Sequence, residues 1–180
     1  GVTLSTARSD NTIVGFPVQS VLDSNRSTGA AVFASSGIPW FSSGGRLRAD
    51  FYNPAQSVSV DFIGTSTLSD VYGRLEAYDS TGRSIQMALT NALGLGHVQR
   101  LTVAFTTDRI AYVVAYADDN FLNSSPFGRL DRFAFSVPEP ADTTDTNGLA
   151  TFNYLSPGSY FLRNDAASAG DLLLNLPTFG

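Results

Sequence analysis

Arg46-Leu47-Arg48-Ala49-Asp50-Phe51 alternates apolar and polar residues, and Ser57-Val58-Ser59-Val60-Asp61-Phe62 takes up the same alternation a few residues later. Successive side chains of a strand point to opposite faces, so Leu47, Ala49 and Phe51 share one face, as do Val58, Val60 and Phe62. The pattern predicts two half-buried antiparallel strands joined by a turn at Tyr52-Asn53-Pro54.

Working outward, the period of two persists. Tyr72, Arg74, Glu76 and Tyr78 fall on one face of a strand that ends at Asp79-Ser80-Thr81-Gly82, a hairpin signal leading into Ser84–Leu89. A glycine-punctuated loop, Gly94-Leu95-Gly96, precedes the alternating run from Val98 to Phe105. The run Ile110–Tyr116 is apolar on both faces, which predicts a central strand. Arg129–Val137 closes the series, with Phe133, Phe135 and Val137 expected to face inward. Shorter strands are expected at Thr12–Phe16 and Ala30–Phe33, and one short helix at Pro17–Leu22. Strands at spacings of roughly 8 to 12 residues with turn signals between them predict an all-β antiparallel sandwich or jelly roll.

Composition narrows the chemistry. The chain has 180 residues, a formal charge of −5 and eleven basic residues, all arginine and unclustered, so nucleic acid is not the expected partner. No apolar run is long enough to span a membrane. The absence of Lys excludes a phosphate-binding Walker loop, a Schiff base and a lysine isopeptide crosslink. The absence of Cys excludes disulfides and thiolate chemistry. The one histidine, His97, lies in the glycine-rich loop with no nucleophile elbow elsewhere in the chain. Glu76 and Glu139 stand in no glycosidase motif, so the expectation is a protein that is not an enzyme.

Two groups admit calcium, which takes several oxygen ligands. They are Asp118-Asp119-Asn120 and the series Asp142, Asp145 and Asn147 before Gly148, with ordinary Asx turns as the alternative reading. No other cofactor is expected. Trp40, flanked by Ile38 and Phe41, reads either as a lid on the core or, with Tyr72 and Tyr78 and then Tyr112 and Tyr116, as a stacking surface for carbohydrate.

A sandwich body is expected over residues 1–137, a Pro/Asp/Thr linker over 138–148, and a C-terminal hairpin with an extended terminal strand over 149–180. In the last part, Phe152, Tyr154, Tyr160 and Phe161 need cover that an isolated hairpin cannot supply. Leu172, Leu173, Leu174 and Leu176 form a strand apolar on both faces, which either closes the body's own sheet or enters a neighbour's.

Two resemblances attach to these residues. Phe51 to Phe62, then Leu75 to Gly82, then Leu130 to Phe135 directly before Val137-Pro138-Glu139-Pro140 resembles the β-sandwich ectodomains of secreted bacterial PEP-CTERM-type proteins, over about residues 45–140. Asp145 to Tyr160, with turns at Gly148 and Ser156-Pro157-Gly158, is similar to the closing hairpin of collagen-adhesin B-type and prealbumin-like surface modules. Both imply extracellular or cell-surface surroundings, and the lack of Cys and Lys, the Ser/Thr/Asn/Gly-rich turns and a start at Gly1 without Met lead to the expectation of export with signal-peptide removal. The resulting expectation is a structural protein that polymerises head to tail with copies of itself by strand or hairpin exchange. The alternative is a secreted carbohydrate-binding or adhesive module, calcium-dependent in one form, with an extracellular polysaccharide as partner.

Overall fold

The computed structural model describes residues 1–67, 71–106, 109–118, 127–137 and 146. The chain divides into two units, Gly1–Glu139 and Pro140–Gly180, and the elements below all belong to the first. They are β1 (Val2–Ala7), β2 (Ile13–Leu22), β3 (Ala31–Ser35), β4 (Arg46–Ala55), β5 (Ser57–Ile63), β6 (Tyr72–Tyr78), β7 (Ser84–Leu89), β8 (Val98–Ala104), β9 (Ile110–Asp118) and β10 (Arg129–Ser136). The body is an antiparallel sandwich of a seven-stranded sheet, in the order β3-β2-β1-β4-β9-β6-β7, and a three-stranded sheet, β10-β5-β8. No helix occurs among the described residues.

The alternation read from the sequence builds the core. Leu47, Ala49 and Phe51 of β4, Leu75 and Ala77 of β6, and Val113 and Ala115 of β9 pack against Val58, Val60 and Phe62 of β5, Leu101 and Val103 of β8, and Leu130 of β10. Each fully buried Val, Leu or Phe stabilises the fold by about 1.5–3 kcal/mol relative to exposure. Gly73 gives the sheets room to meet, because a Cβ there would lie 2.3 Å from the Phe62 ring.

Side-chain hydrogen bonds join the two sheets along their flanks. On one flank, Gln86 of β7 accepts a hydrogen bond from the backbone N–H of Ala104 in the edge strand β8 (3.1 Å), while Gln99 accepts from Asn91 N–H (2.9 Å). On the other, the loop between β2 and β3 is tied to β10. Asp131 Oδ2 accepts from Ser27 N, Ser27 Oγ and Thr28 N, each at 2.8 Å, and Asp131 Oδ1 accepts from Arg132 N at 2.7 Å. Arg129 Nε donates to Asp23 Oδ2 at 2.6 Å. Burial pushes the Asp131 carboxyl up, but the hydrogen bonds from Thr28, Ser27 and Arg132 outweigh it and hold its pKa below the ordinary 3.8. Asp23 behaves alike: burial raises it, and Arg129 with the Asn25 N–H brings it below 3.8.

Three expectations from the sequence need correction. Pro17–Leu22 is not helical but the second half of β2, paired to β3 from Val18↔Ser35 to Leu22↔Ala31. Pro17 sits beside Ser5, where the β1–β2 register shifts, so the missing N–H falls at an irregularity the ladder already has. Tyr52-Asn53-Pro54 is not a turn. β4 runs on to Ala55, and the extra residues bulge out between the Asp50↔Tyr112 and Ala55↔Ile110 pairs before Gln56 carries the chain into the other sheet. In β10, Phe133 is half-buried against the core, but Phe135 and Val137 are 36% and 38% exposed. A bulge between Asp131 and Ala134, with Arg132 at φ 48°, shifts the register so that Leu130 fills the core and Phe135 reaches only the rim of Phe51.

Two outcomes follow from this packing. Gly73→Ala is expected to cost about 1–3 kcal/mol by overpacking against Phe62, and Phe62→Leu added to it is expected to recover part of the loss, both read from urea melts. Asp131 and Asp23 bind protons less tightly folded than unfolded, so their stabilisation is complete above pH 3.8 and is lost as pH falls through their lower folded values. Unfolding free energy measured from about pH 6 down to about pH 3 should therefore decline, and decline less steeply in Asp131→Asn.

Candidate functional site

Every residue of β4, β9 and β6 that points into the core leaves its neighbours on the opposite face of the large sheet. Register aligns these in rows: Asp50, Tyr112 and Tyr78; then Arg48, Val114 and Glu76; then Tyr116 with Arg74; then Asp118 with Tyr72. Arg46 adds to the Tyr116 row, its guanidinium carbon 4.0 Å from that ring's centroid.

The rings are held between neighbours. Tyr112 has the Arg48 guanidinium carbon 3.8 Å from its centroid, and the Tyr78 ring stacks on it at 4.6 Å and 4°. Tyr116 takes Arg46 from β4 and Arg74, at 5.9 Å, from β6. Such guanidinium-on-ring contacts contribute about 0.5–2 kcal/mol each, more as water is excluded. Glu76 gathers the hydroxyls: Tyr78 Oη donates to Oε2 at 2.5 Å and Tyr116 Oη to Oε1 at 2.9 Å. Arg48 forks onto Asp50, with Nε and Nη2 within 3.0 Å of its carboxylate, and Arg74 pairs with Asp118 at 3.1 Å and Glu76 at 3.8 Å. Burial, with the Glu76 carboxylate close by, pushes the Tyr78 hydroxyl up to about 12. Tyr116 is raised by the same two causes, and Tyr112 is raised by burial against a partly opposing Arg48.

Asn11 completes the face and gave little sign of itself in the sequence. Its backbone is left-handed at φ 65°, its Oδ1 accepts from Arg46 Nη1 at 3.0 Å, and its carbonyl accepts from Arg48 Nη1 at 2.8 Å. The available signal was the Asx turn in Asp10-Asn11-Thr12, where Asp10 Oδ1 accepts the Thr12 N–H at 2.9 Å.

The other residues singled out from the sequence lie as follows. Phe41 is fully buried, whereas Trp40 is 43% exposed and packs on Phe127 with ring centroids 5.3 Å apart. Tyr72 is half-buried on the outer face, and Tyr78, on the same face of β6, is buried against Tyr112. Asp118 is committed to Arg74. Asp119, Asn120, Asp142, Asp145 and Asn147 lie outside the described residues, as do Phe152, Tyr154, Tyr160, Phe161, Leu172, Leu173, Leu174 and Leu176. Among the described residues, no group of three or more His, Asp or Glu is placed to hold a metal ion. His97 is exposed in the turn from Gly94, donating its N–H to the Gly94 carbonyl.

No protein-family model matches the chain, and no curated protein does. Among solved structures, the enzymatically active domain of bacteriophage CBA120 tailspike protein 4 is similar at a TM-score of 0.40 and 12% identity. The match covers 75% of this chain and 19% of that one, a likeness too slight to bear on fold or function.

The Glu76 network has a consequence at alkaline pH. A tyrosine held at about 12 keeps its proton in the fold while the unfolded chain ionises near 10, so stability is complete below about pH 10 and is lost as pH rises toward 12. Absorbance titration of phenolate should show Tyr78 and Tyr116 ionising only as the protein unfolds, and Tyr78→Phe should lower the amplitude of that late step without abolishing it.

Proposed function

We propose that this chain is a non-catalytic, extracellular structural module that assembles head to tail, the apolar tail of one copy adding a strand to the sheet edge of the next. The observation that carries the reading is the edge strand β7. Among the described residues it ends the large sheet, with Met87 and Leu89 49% and 46% exposed. An edge strand with exposed apolar residues is a template for another chain, with ladder hydrogen bonds giving affinity and side-chain pockets giving register.

The other edges are less receptive. β8 has a backbone N–H capped by Gln86, β10 is tied to the 23–30 loop, and β3 keeps Val32 and Ala34 buried. Leu172-Leu173-Leu174-Asn175-Leu176, following the small residues Ala166 to Gly170, supplies an apolar strand of fitting chemistry. The resemblances to secreted PEP-CTERM-type ectodomains and to adhesin stalk modules support the same surroundings, as does a chain without Cys or Lys.

Deleting Asp171–Gly180 tests the reading by negative-stain imaging and mass measurement. The expected result is a folded monomer that no longer forms fibres, while a peptide of Asp171 to Pro177 binds to it. A truncated chain that unfolds, or that still forms fibres as the full chain does, overturns the reading.

A further inference from the structure

We infer that the outer face of β4, β9 and β6 is a binding site for a neutral glycan, independent of the assembly proposed above. The groups within a ligand's reach are polar and of both hydrogen-bonding kinds. The side chains of Asp50, Asp118 and Arg48 are 33%, 22% and 18% exposed. Tyr78 and Tyr116 spend their hydroxyls on Glu76, but the Tyr112 hydroxyl has no hydrogen-bond partner among the described residues. It stands beside the Arg48–Asp50 pair, whose guanidinium covers one face of the Tyr112 ring.

Charge selects the class of ligand. Arg46, Arg48 and Arg74 stand among Asp50, Glu76 and Asp118, so the face is locally balanced on a chain of net charge −5. A polyanion gains little here and is repelled by the whole molecule. A sugar hydroxyl donates to a carboxylate and accepts from a guanidinium at once, so a vicinal diol matches an Arg and Asp held side by side. The pair is also fixed before any ligand arrives: Asp50, the Asn11 carbonyl and the Tyr112 ring hold the Arg48 guanidinium in place. Little side-chain freedom is then lost on binding. Because Tyr112 lies between Arg48 and Tyr78, and Tyr116 between Arg46 and Arg74, recognition here proceeds through hydrogen bonds at the polar ends of the side chains and not through ring stacking.

The test is affinity electrophoresis of the full chain through native gels containing a soluble xyloglucan, galactomannan or mixed-linkage β-glucan. A polygalacturonate gel is the charged arm, and a gel without polysaccharide the baseline. The expected result is retardation in at least one neutral gel and none in polygalacturonate. Tyr112→Phe keeps the ring and its stacking, so it should melt as the parent does and bind about five- to tenfold more weakly, the worth of one hydrogen bond. Arg48→Gln should weaken binding further. Passage through all three neutral gels without retardation, stronger retardation by polygalacturonate, or unchanged binding by Tyr112→Phe and Arg48→Gln overturns the inference. Fibre formation by the same two variants is expected to be unaltered, so a failure of assembly and a failure of glycan binding are read separately.

Discussion

A strand that is apolar on both faces must be covered twice, and β9 is that strand. Its inward residues Val113 and Ala115 are met by the small sheet, as in any sandwich. Its outward Val114 is fully buried too, on the face the small sheet does not reach. Arg48 and Glu76 are its cross-strand neighbours, and Tyr112 and Tyr116 stand along the strand on either side of it. Long side chains bury apolar area along their stems while their polar ends turn to one another and to solvent. The Arg, Tyr and carboxylate face is thus the second cover of β9, and its polar chemistry arises from how that cover has to be built.

The same requirement explains why seven strands face three. β5 needs to shield only the middle of the large sheet, and the flanks are joined by side chains: Gln86 and Gln99 at β7 and β8, and Asp131 and Arg129 at β10. A carboxylate that accepts two backbone N–H groups of a loop costs little to bury, because its charge is met by donors that themselves needed acceptors. Folding therefore fixes the 23–30 loop and the β10 bulge together. The left-handed backbone of Arg132 persists because Asp131 Oδ1 holds its N–H.

Much of this was legible in the residues. The alternation in β4, β5 and β6 named the core faces, and the double apolarity of Ile110–Tyr116 marked an interior strand. Arg74, Glu76, Tyr72 and Tyr78 were correctly placed on one face. Strand period fixes a side chain's face but not its neighbours, however, and β9 separates β4 from β6 across long stretches of sequence. Tyr112 and Tyr116 could therefore be read as free stacking surfaces when they are enclosed by Arg48, Tyr78, Arg46 and Arg74. Pro17 suggested a helix start because its effect on a ladder depends on a register shift at Ser5 that no local pattern reveals. Phe41, and not Trp40, entered the core because a hydrogen-bonded bridge to Gly128 orients that segment, a long-range contact invisible in the tripeptide.

The absence of lysine, first read as an exclusion, has a structural counterpart. Arg46 and Arg48 lie over tyrosine rings while donating in several directions: Arg46 to Ser43 and Asn11, and Arg48 to Asp50 and Asn11. Arg100 bridges Asp61 and the Arg132 carbonyl in the small sheet. Each position uses a planar cation with donors spread around its edge, which an ammonium on a flexible stem does not provide. A sheet face made of such groups is rigid, of balanced charge and rich in directed donors. A ligand meeting this face therefore meets the polar edges of the cations and carboxylates, while the rings of Tyr112 and Tyr116 stay covered by guanidinium groups.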